Sequence, residues 1–434
     1  MASNPHAASL RPAADMAAIY RKIDWRLLPF LMLCYVFAYL DRINIGFAKL
    51  QMQQDLGMND AVYGIGAGIF FLGYMLCEIP SNLLLPRIGA RRTLSRIMIL
   101  WGLTSASMLT VRNEHVFYAL RFLLGVFEAG FAPGMIFYLT YWYAEDKMAR
   151  VMAVVMCAGP IGGIVGGPFS TWVMTAFAGA HGLAGWQWMF LIEGLPCVLL
   201  GLVALRFLDD RPESAAWLGL QEKRTLAAVL APARSAHGSF RQVARDWRVY
   251  LMALAYFCQI CGLYAVSFWL PSILKGAGVN DTLQIGLYSA IPYAVSILAM
   301  VAFARSSDRR RERRWHAAIS AFGAALAFAV AARSGGSLSV SLTSMTIATA
   351  LCWASYTVFW AMPSDYLKGE AAAGGIALIN TIGLLGGFIS PTLIGWIRTA
   401  TGSMEAGLMS MVALLVLGSV LLIVNRIPRP QARR

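Results

Sequence analysis

Charge is scarce in this chain of 434 residues: 13% are Asp, Glu, Lys or Arg, 58% are apolar, and the mean hydropathy is +0.61. Ordinary soluble domains carry about 25% charged residues, so this composition excludes a water-soluble enzyme. Histidine is nearly absent, and His6, His115, His181, His237 and His316 fall in tails, loops or helix ends, which sets aside a histidine proton relay. The cysteine count is odd at seven, and all lie in apolar stretches, which argues against a disulfide framework. Cys258 and Cys261 form a C-x-x-C with no second pair and no nearby histidine, so a metal or redox role is not expected. No nucleotide loop, metal cluster or nucleophilic constellation is visible, so enzymatic activity, a metal and a cofactor are all unexpected. Residues 1–26 are polar and run directly into a full-length apolar segment, so a cleavable signal is not expected.

What the chain has in abundance is long apolar runs. Twelve of spanning length can be drawn, each needing about 20 residues: Leu27–Phe47, Val62–Leu84, Leu94–Val111, Val116–Tyr138, Val151–Phe177, Trp186–Phe207, then Val249–Leu270, Ile285–Phe303, Trp315–Ala332, Leu338–Met362, Ala371–Ile397 and Ala406–Val424. Between the sixth and seventh lies a charged stretch low in aromatics, which reads as a connector outside the bilayer. The organisation is therefore a tail (1–26), a first six-helix bundle (27–207), a connector (208–247), a second six-helix bundle (248–425) and a second tail (426–434). The fold expected is an all-α membrane protein of twelve transmembrane helices in two pseudo-symmetric bundles.

The formal charge of +14 is sorted by side of the membrane rather than gathered on one face. With the N-terminus inside, the outside segments hold only Lys49, Arg112, Lys275, Arg333 and Arg398, and nearly all other basic residues fall inside. Basic loops are retained in the cytoplasm, so both termini are expected there, in a cell inner membrane. The same sorting removes the reason to expect nucleic-acid binding.

The halves echo each other at an offset of about 222 to 223 residues, the internal repeat of two-bundle transporters. Arg87, Arg91 and Arg92 after the second run answer Asp308 to Arg314 after the eighth, and Gly89 is expected with them in a gating or structural role. The glycine-rich fifth run (Gly162, Gly163, Gly166, Gly167) answers Gly383, Gly386 and Gly387 in the eleventh. Small residues four apart permit close helix approach and sliding, a mechanical role.

Ionisable groups inside a bilayer cost about 2.5 to 3.5 kcal/mol each at mid-helix and usually face an aqueous site. Here they cluster in the first half: Asp41 and Arg42 with Tyr39, Glu78, Arg121 and Glu128. Arg121 and Glu128, seven apart, share one helix face about 10.5 Å apart in rise. They suit a substrate-binding cation and a proton-carrying carboxylate, or a structural pairing with neighbouring helices. Asp41 and Arg42 sit about 100° apart on a helix and so divide roles, unless they form a salt bridge at the rim. Glu78, before Ile79 and Pro80, suits packing or gating, and Glu193 reads as structural. In the second half Tyr264, Phe268, Trp269, Phe359, Trp360 and Asn380 offer uncharged aromatic and polar groups, either as site lining or as packing.

Six strings in order carry a resemblance: Tyr39-Leu-Asp41-Arg42, Glu78-Ile-Pro80-Ser-Asn82, Arg121-Phe-Leu-Leu-Gly125-Val-Phe-Glu128-Ala-Gly, Trp186-Gln-Trp188-Met-Phe-Leu-Ile-Glu193-Gly, Phe268-Trp-Leu-Pro271 and Ala377-Leu-Ile-Asn380-Thr-Ile-Gly383. The chain resembles the major facilitator superfamily over nearly its whole length, and within it the anion:cation symporter branch that carries organic acids. It departs from the general superfamily loop motif at Pro86, where an aspartate is usual, and at Ala90, where a basic residue is usual; the branch is similar there. Asp308 keeps the counterpart. The resemblance implies proton-coupled import of a small organic anion, an aromatic carboxylate, dicarboxylate or sugar acid, with Asp41 and Glu128 carrying protons. It places Arg42 and Arg121 near the substrate carboxylate, Tyr39, Tyr74 and Asn380 along the site, and a monomer as the working unit. An anion exchanger on the same fold and a drug or metabolite exporter stay open beside it.

Overall fold

The computed structural model describes residues 5–230, 243–367 and 370–425, and among these every regular element is helical. The tail 426–434, Lys368 and positions 231–242 of the connector lie outside the described residues. Eleven rods are long and apolar enough to cross a membrane: α1 (Met16–Leu56), α2 (Asp60–Ile88), α4 (Glu114–Thr140), α5 (Arg150–Ala176), α6 (Gly185–Phe207), α7 (Trp247–Gly276), α8 (Thr282–Arg310), α9 (Arg314–Ala332), α10 (Leu338–Tyr366), α11 (Gly374–Thr401) and α12 (Met404–Val424). The remaining rod, α3 (Ala90–Ser107), has 18 residues with Arg91, Arg92 and Arg96 at one end, which lowers its hydropathy. It packs lengthwise on α6, so the twelve-rod expectation agrees with the fold.

The rods run longer than the apolar runs, because helix geometry continues through polar residues that offer no breaker. The first helix starts ahead of Leu27, inside what hydropathy assigns to a polar tail, and its second segment continues to Leu56. Lys49, assigned to an outside loop, is therefore helical and buried at 3% exposure. Four rods contain a break: α1 at Asn44, α4 at Ala129 and Gly130, α5 at Cys157 and α10 at Trp360. Gly130 has φ 87°, a left-handed conformation that glycine adopts without a Cβ penalty, and the break leaves Glu128 as the last residue of its helical segment.

Close packing of small residues seams the bundle together. A Cβ on Gly125 would stand 1.9 Å from the Phe70 carbonyl oxygen of α2. Alanine is the better helix former by about 1 kcal/mol, but that oxygen belongs to backbone and the helices would have to part, an overpacking cost of about 1 to 3 kcal/mol or more. Gly125→Ala is therefore expected to lower the thermal unfolding midpoint of the purified protein; an unchanged or raised midpoint would show that α2 yields freely. On α5, Gly162 and Gly166 face Tyr39 and Ile43 of α1, while Gly163 and Gly167 face Tyr293 and Gly286 of α8. One stripe thus meets both halves.

The halves meet most tightly at the end of the bundle away from the chain termini. There Tyr63 donates to the Phe268 carbonyl at 2.9 Å, and Thr392 to that of Gly64 at 3.3 Å. Asp60 holds Lys49 at 2.7 Å and Arg398 at 3.3 Å, with the Lys49 ammonium 3.7 Å from the Trp269 ring centroid. Among the described residues, the Asn380 to Glu78 bond lies nearest the termini of those crossing between halves. On the termini side a short helix, Leu220–Leu230, tethers the connector to α1 through Lys22 and Glu222 at 2.5 Å, which holds the Glu222 carboxyl below the usual carboxylate range.

Candidate functional site

The centre of the molecule is set by α1, α2, α4 and α7. Because Asp41 and Arg42 are neighbours on one helix, their side chains diverge, and each finds separate company. Arg42 points between the halves: one terminal nitrogen donates to Glu128 of α4 and the other to the Tyr264 hydroxyl of α7 at 3.0 Å. Its guanidinium carbon lies 5.3 Å from the Phe70 ring and 5.6 Å from the Tyr74 ring, within cation–π reach. Arg42 retains 13% side-chain exposure against 1% for Glu128, so of the pair the arginine is the more open. Glu128 stands at the C-terminal end of its helical segment, where the backbone dipole is negative, so the guanidinium supplies the counter-charge this carboxylate needs.

Asp41 turns into the interior of the first bundle. Its Oδ1 accepts from the Ser105 hydroxyl of α3 and from Asn44 Nδ2 at 3.2 Å. Asn44 Nδ2 also donates to Glu193 of α6 at 2.9 Å, and Ser170 of α5 lies 2.6 Å from the other Glu193 oxygen. Arg121 is wholly buried and spans to α2, its Nε donating to the Gly66 carbonyl at 3.1 Å and Nη2 to that of Ala67 at 3.3 Å. It lies within electrostatic reach of Asp41 without a hydrogen bond to it. Arg121 and Glu128 share a face of α4, as their spacing predicts, yet the arginine bonded to Glu128 is Arg42.

The uncharged candidates divide between the centre and its flanks. Tyr39 places its hydroxyl 3.4 Å from Ser267 and its ring 5.8 Å from that of Trp353. Trp360 packs edge-on against Tyr256 at 4.9 Å, about two turns along α7 from Tyr264. Asn380 donates to Glu78 at 3.0 Å, which brings together a residue expected in the site and one expected to gate. In the loop after α2, Gly89 has φ 89° and Asp210 of the connector approaches it closely, its Oδ1 accepting from the Arg91 amide at 2.9 Å. A carboxylate therefore does reach the N-terminus of α3, where Pro86 leaves none in the local motif. Arg87 lies at the last turn of α2, and in the last turn of α8 Asp308 pairs with Arg313, which also approaches Asp365 at 3.8 Å.

Sequence reading alone missed Asn44, Ser105 and Ser170, whose polarity is unremarkable until folding buries them around two carboxylates. It also missed Lys49, Asp60 and Arg398, since charge near the end of an apolar run looks solvated.

The arrangement, charged residues gathered in one bundle and facing an uncharged aromatic wall in the other, suits binding of an anion between the two halves rather than bond chemistry. The family model for the Major Facilitator Superfamily matches residues 31–391. A protein of Agrobacterium vitis named a tartrate transporter is 45% identical over 422 residues, covering 96% of this chain and 93% of its own. A quinolone resistance transporter of Acinetobacter baumannii is 38% identical over 411 residues, covering 93% and 94%. Among solved structures, a bacterial homolog of the human lysosomal transporter Spinster, in an inward-facing and occupied conformation, superposes with TM-score 0.76 at 15% identity over 92% of this chain and 96% of that one. The chain belongs to the Major Facilitator Superfamily and is a multi-pass membrane transporter.

Proposed function

We propose that this protein imports a small organic acid anion by proton symport, through alternating exposure of one central site. The observation that carries the reading is Arg42 held between the Glu128 carboxylate of one half and the Tyr264 hydroxyl of the other. A substrate carboxylate competes with Glu128 for that guanidinium. When Glu128 takes a proton it ceases to be an anionic acceptor, and Arg42 becomes free for the substrate; the two occupancies are thereby linked. Asp41 carries the second titrating group beside Arg121, and Tyr39, Tyr74, Trp360 and Asn380 line the path. The glycine stripe of α5, with Glu78, Arg87, Gly89, Arg91 and Asp308, serves the movement of the halves.

The orientation proposed places both termini in the cytoplasm of a cell inner membrane, with a monomer as the working unit and six helices on each side of the 208–247 connector. The end sealed by Asp60 is then the outer one, and the arrangement described is closed to the outside. The identity shared with a protein named a tartrate transporter supports a hydroxylated dicarboxylate as the first substrate to try.

The test is uptake of radiolabelled tartrate and a panel of other carboxylates into proteoliposomes, with and without an inwardly directed proton gradient. Accumulation requiring the gradient is the expected result; equilibration indifferent to pH but driven by internal anion would mean exchange instead. Arg42→Gln is expected to lower uptake roughly 10- to 100-fold, the ~1.5–3 kcal/mol of a hydrogen bond to a charged group. Undiminished uptake in a folded variant would remove Arg42 from the site.

The similarity to a quinolone resistance transporter favours a second reading, export of drugs. Two arginines in the membrane interior disfavour a cationic cargo. Cells lacking the protein should be no more sensitive to quinolones; heightened sensitivity would support export.

A further inference from the structure

Glu193 stands outside the mechanism above, yet its surroundings are those of a titrating group rather than a packing residue. It is fully buried, as are Asp41 and Asn44 at 1% or less exposure. The interior of the first bundle holds Asp41, Glu128 and Glu193 against the Arg42 and Arg121 guanidiniums, while Glu78, also buried, accepts from Asn380 of the other half. Arg42 is bonded to Glu128, and Arg121 lies within reach of Asp41. The groups facing Glu193 are Ser170 of α5, Asn44 of α1 and, electrostatically, Asp41; among the described residues no cation bonds to it. Cys197, on its own helix, lies near Asp41, Glu128 and Glu193 but remains a buried thiol. An ionised carboxylate without a counter-charge in such a place is costly and sheds its charge by taking a proton.

The hydrogen bonds accommodate that proton. With an acid proton on Oε1, Glu193 donates to the Ser170 oxygen across the same 2.6 Å, because a hydroxyl both donates and accepts, while Oε2 goes on accepting from Asn44. Asp41 has no equivalent arrangement. Its Oδ1 takes both donors, while Oδ2 is buried with no partner, as is Asn44 Oδ1, so neither form of Asp41 is satisfied on that side as Glu193 is on both of its oxygens. We propose that Asp41 and Glu193, joined by the single Asn44 amide, act as one titrating unit holding one proton, and that in this arrangement the proton resides on Glu193 while Asp41 is ionised opposite Arg121. When Asp41 takes a proton from solution, Glu193 becomes the member able to release one, so the charge of the pair is conserved while its location changes.

This rests on the symport reading only in giving the pair a part in transport; the protonation itself is measurable without transport. The infrared carbonyl band of a protonated buried acid, recorded on the full purified protein at neutral pH, is expected in wild type, retained in Asp41→Asn and Glu128→Gln, and lost in Glu193→Gln, whose amide reproduces the bonds of the acid. A band absent from wild type or a band that survives Glu193→Gln would each overturn the proposal. If Glu193→Gln fails to fold, Ser170→Ala takes its place: it removes the acid's hydroxyl partner and must shift the band, and an unshifted band overturns the assignment. Gradient-indifferent uptake with the band lost in Glu193→Gln would instead sink symport and leave the protonation standing.

Discussion

Glu128→Gln is expected to abolish proton-driven accumulation while leaving exchange of substrate across the membrane intact. Glutamine matches the shape of the protonated carboxyl and cannot ionise, so Arg42 is permanently available to the anion and the competition that links proton to substrate disappears. A gradient of one pH unit stores about 1.4 kcal/mol per proton, enough for roughly tenfold accumulation of a monoanion carried with one proton. The variant should reach only the equilibrium level under that gradient, a loss of up to about that whole factor. Counterflow of labelled against unlabelled substrate should continue at a comparable rate. Accumulation equal to wild type would remove Glu128 from the proton path; loss of counterflow as well would make it a structural partner of Arg42.

The second large effect is expected at the sealed end of the bundle. Asp60 accepts from Lys49, Gln53 and Arg398 together, joining α1, α2 and α11, and Lys49 is buried against Trp269 and Tyr63. Asp60→Ala strands the Lys49 ammonium. Removing one partner of a buried pair costs about 2 to 5 kcal/mol, and because Asp60 keeps 19% side-chain exposure the lower end, about 2 to 3 kcal/mol, is the better guide. That cost falls only on states in which the seal is closed, so the ratio of closed to open should drop by roughly 30- to 100-fold. Spin labels at the exposed positions Gln54 and Ala400, in a background lacking Cys77 and Cys157, report the separation of the two halves at this end. A shift to longer distances is expected; an unchanged distribution would show that helix packing alone holds the seal.

The rods and the charged residues could be read from the sequence because each rests on a local property. Twenty apolar residues span a bilayer whatever surrounds them, and an arginine such as Arg121 inside such a run stands out by composition alone. Partner choice is another matter. Glu128 lies on the expected face of α4, yet whether it meets Arg121 or Arg42 depends on how α1 is rotated against α4, which a single chain's periodicity leaves open. The break after Glu128 was equally hidden, since one left-handed glycine changes no hydropathy. Lys49 was misplaced for the converse reason: basic residues near the end of an apolar run are counted with the adjoining loop, whereas here the helix continues and an acid on the next helix draws the lysine inward. Glu193 was visible but looked inert until Asn44 and Ser170 converged on it.

The carboxylate that Asp210 brings to the Arg91 amide crosses 119 positions of sequence to do so. A pattern written over consecutive residues scores the α2–α3 loop as degenerate at Pro86, while the folded chain has an acid in place. An acid can thus serve the start of α3 from a distant stretch of sequence. One practical result concerns protein chimeras: exchanging six-helix bundles between relatives at a junction ahead of position 210 would separate this loop from the acid that completes it, even though every loop motif had been carried over intact.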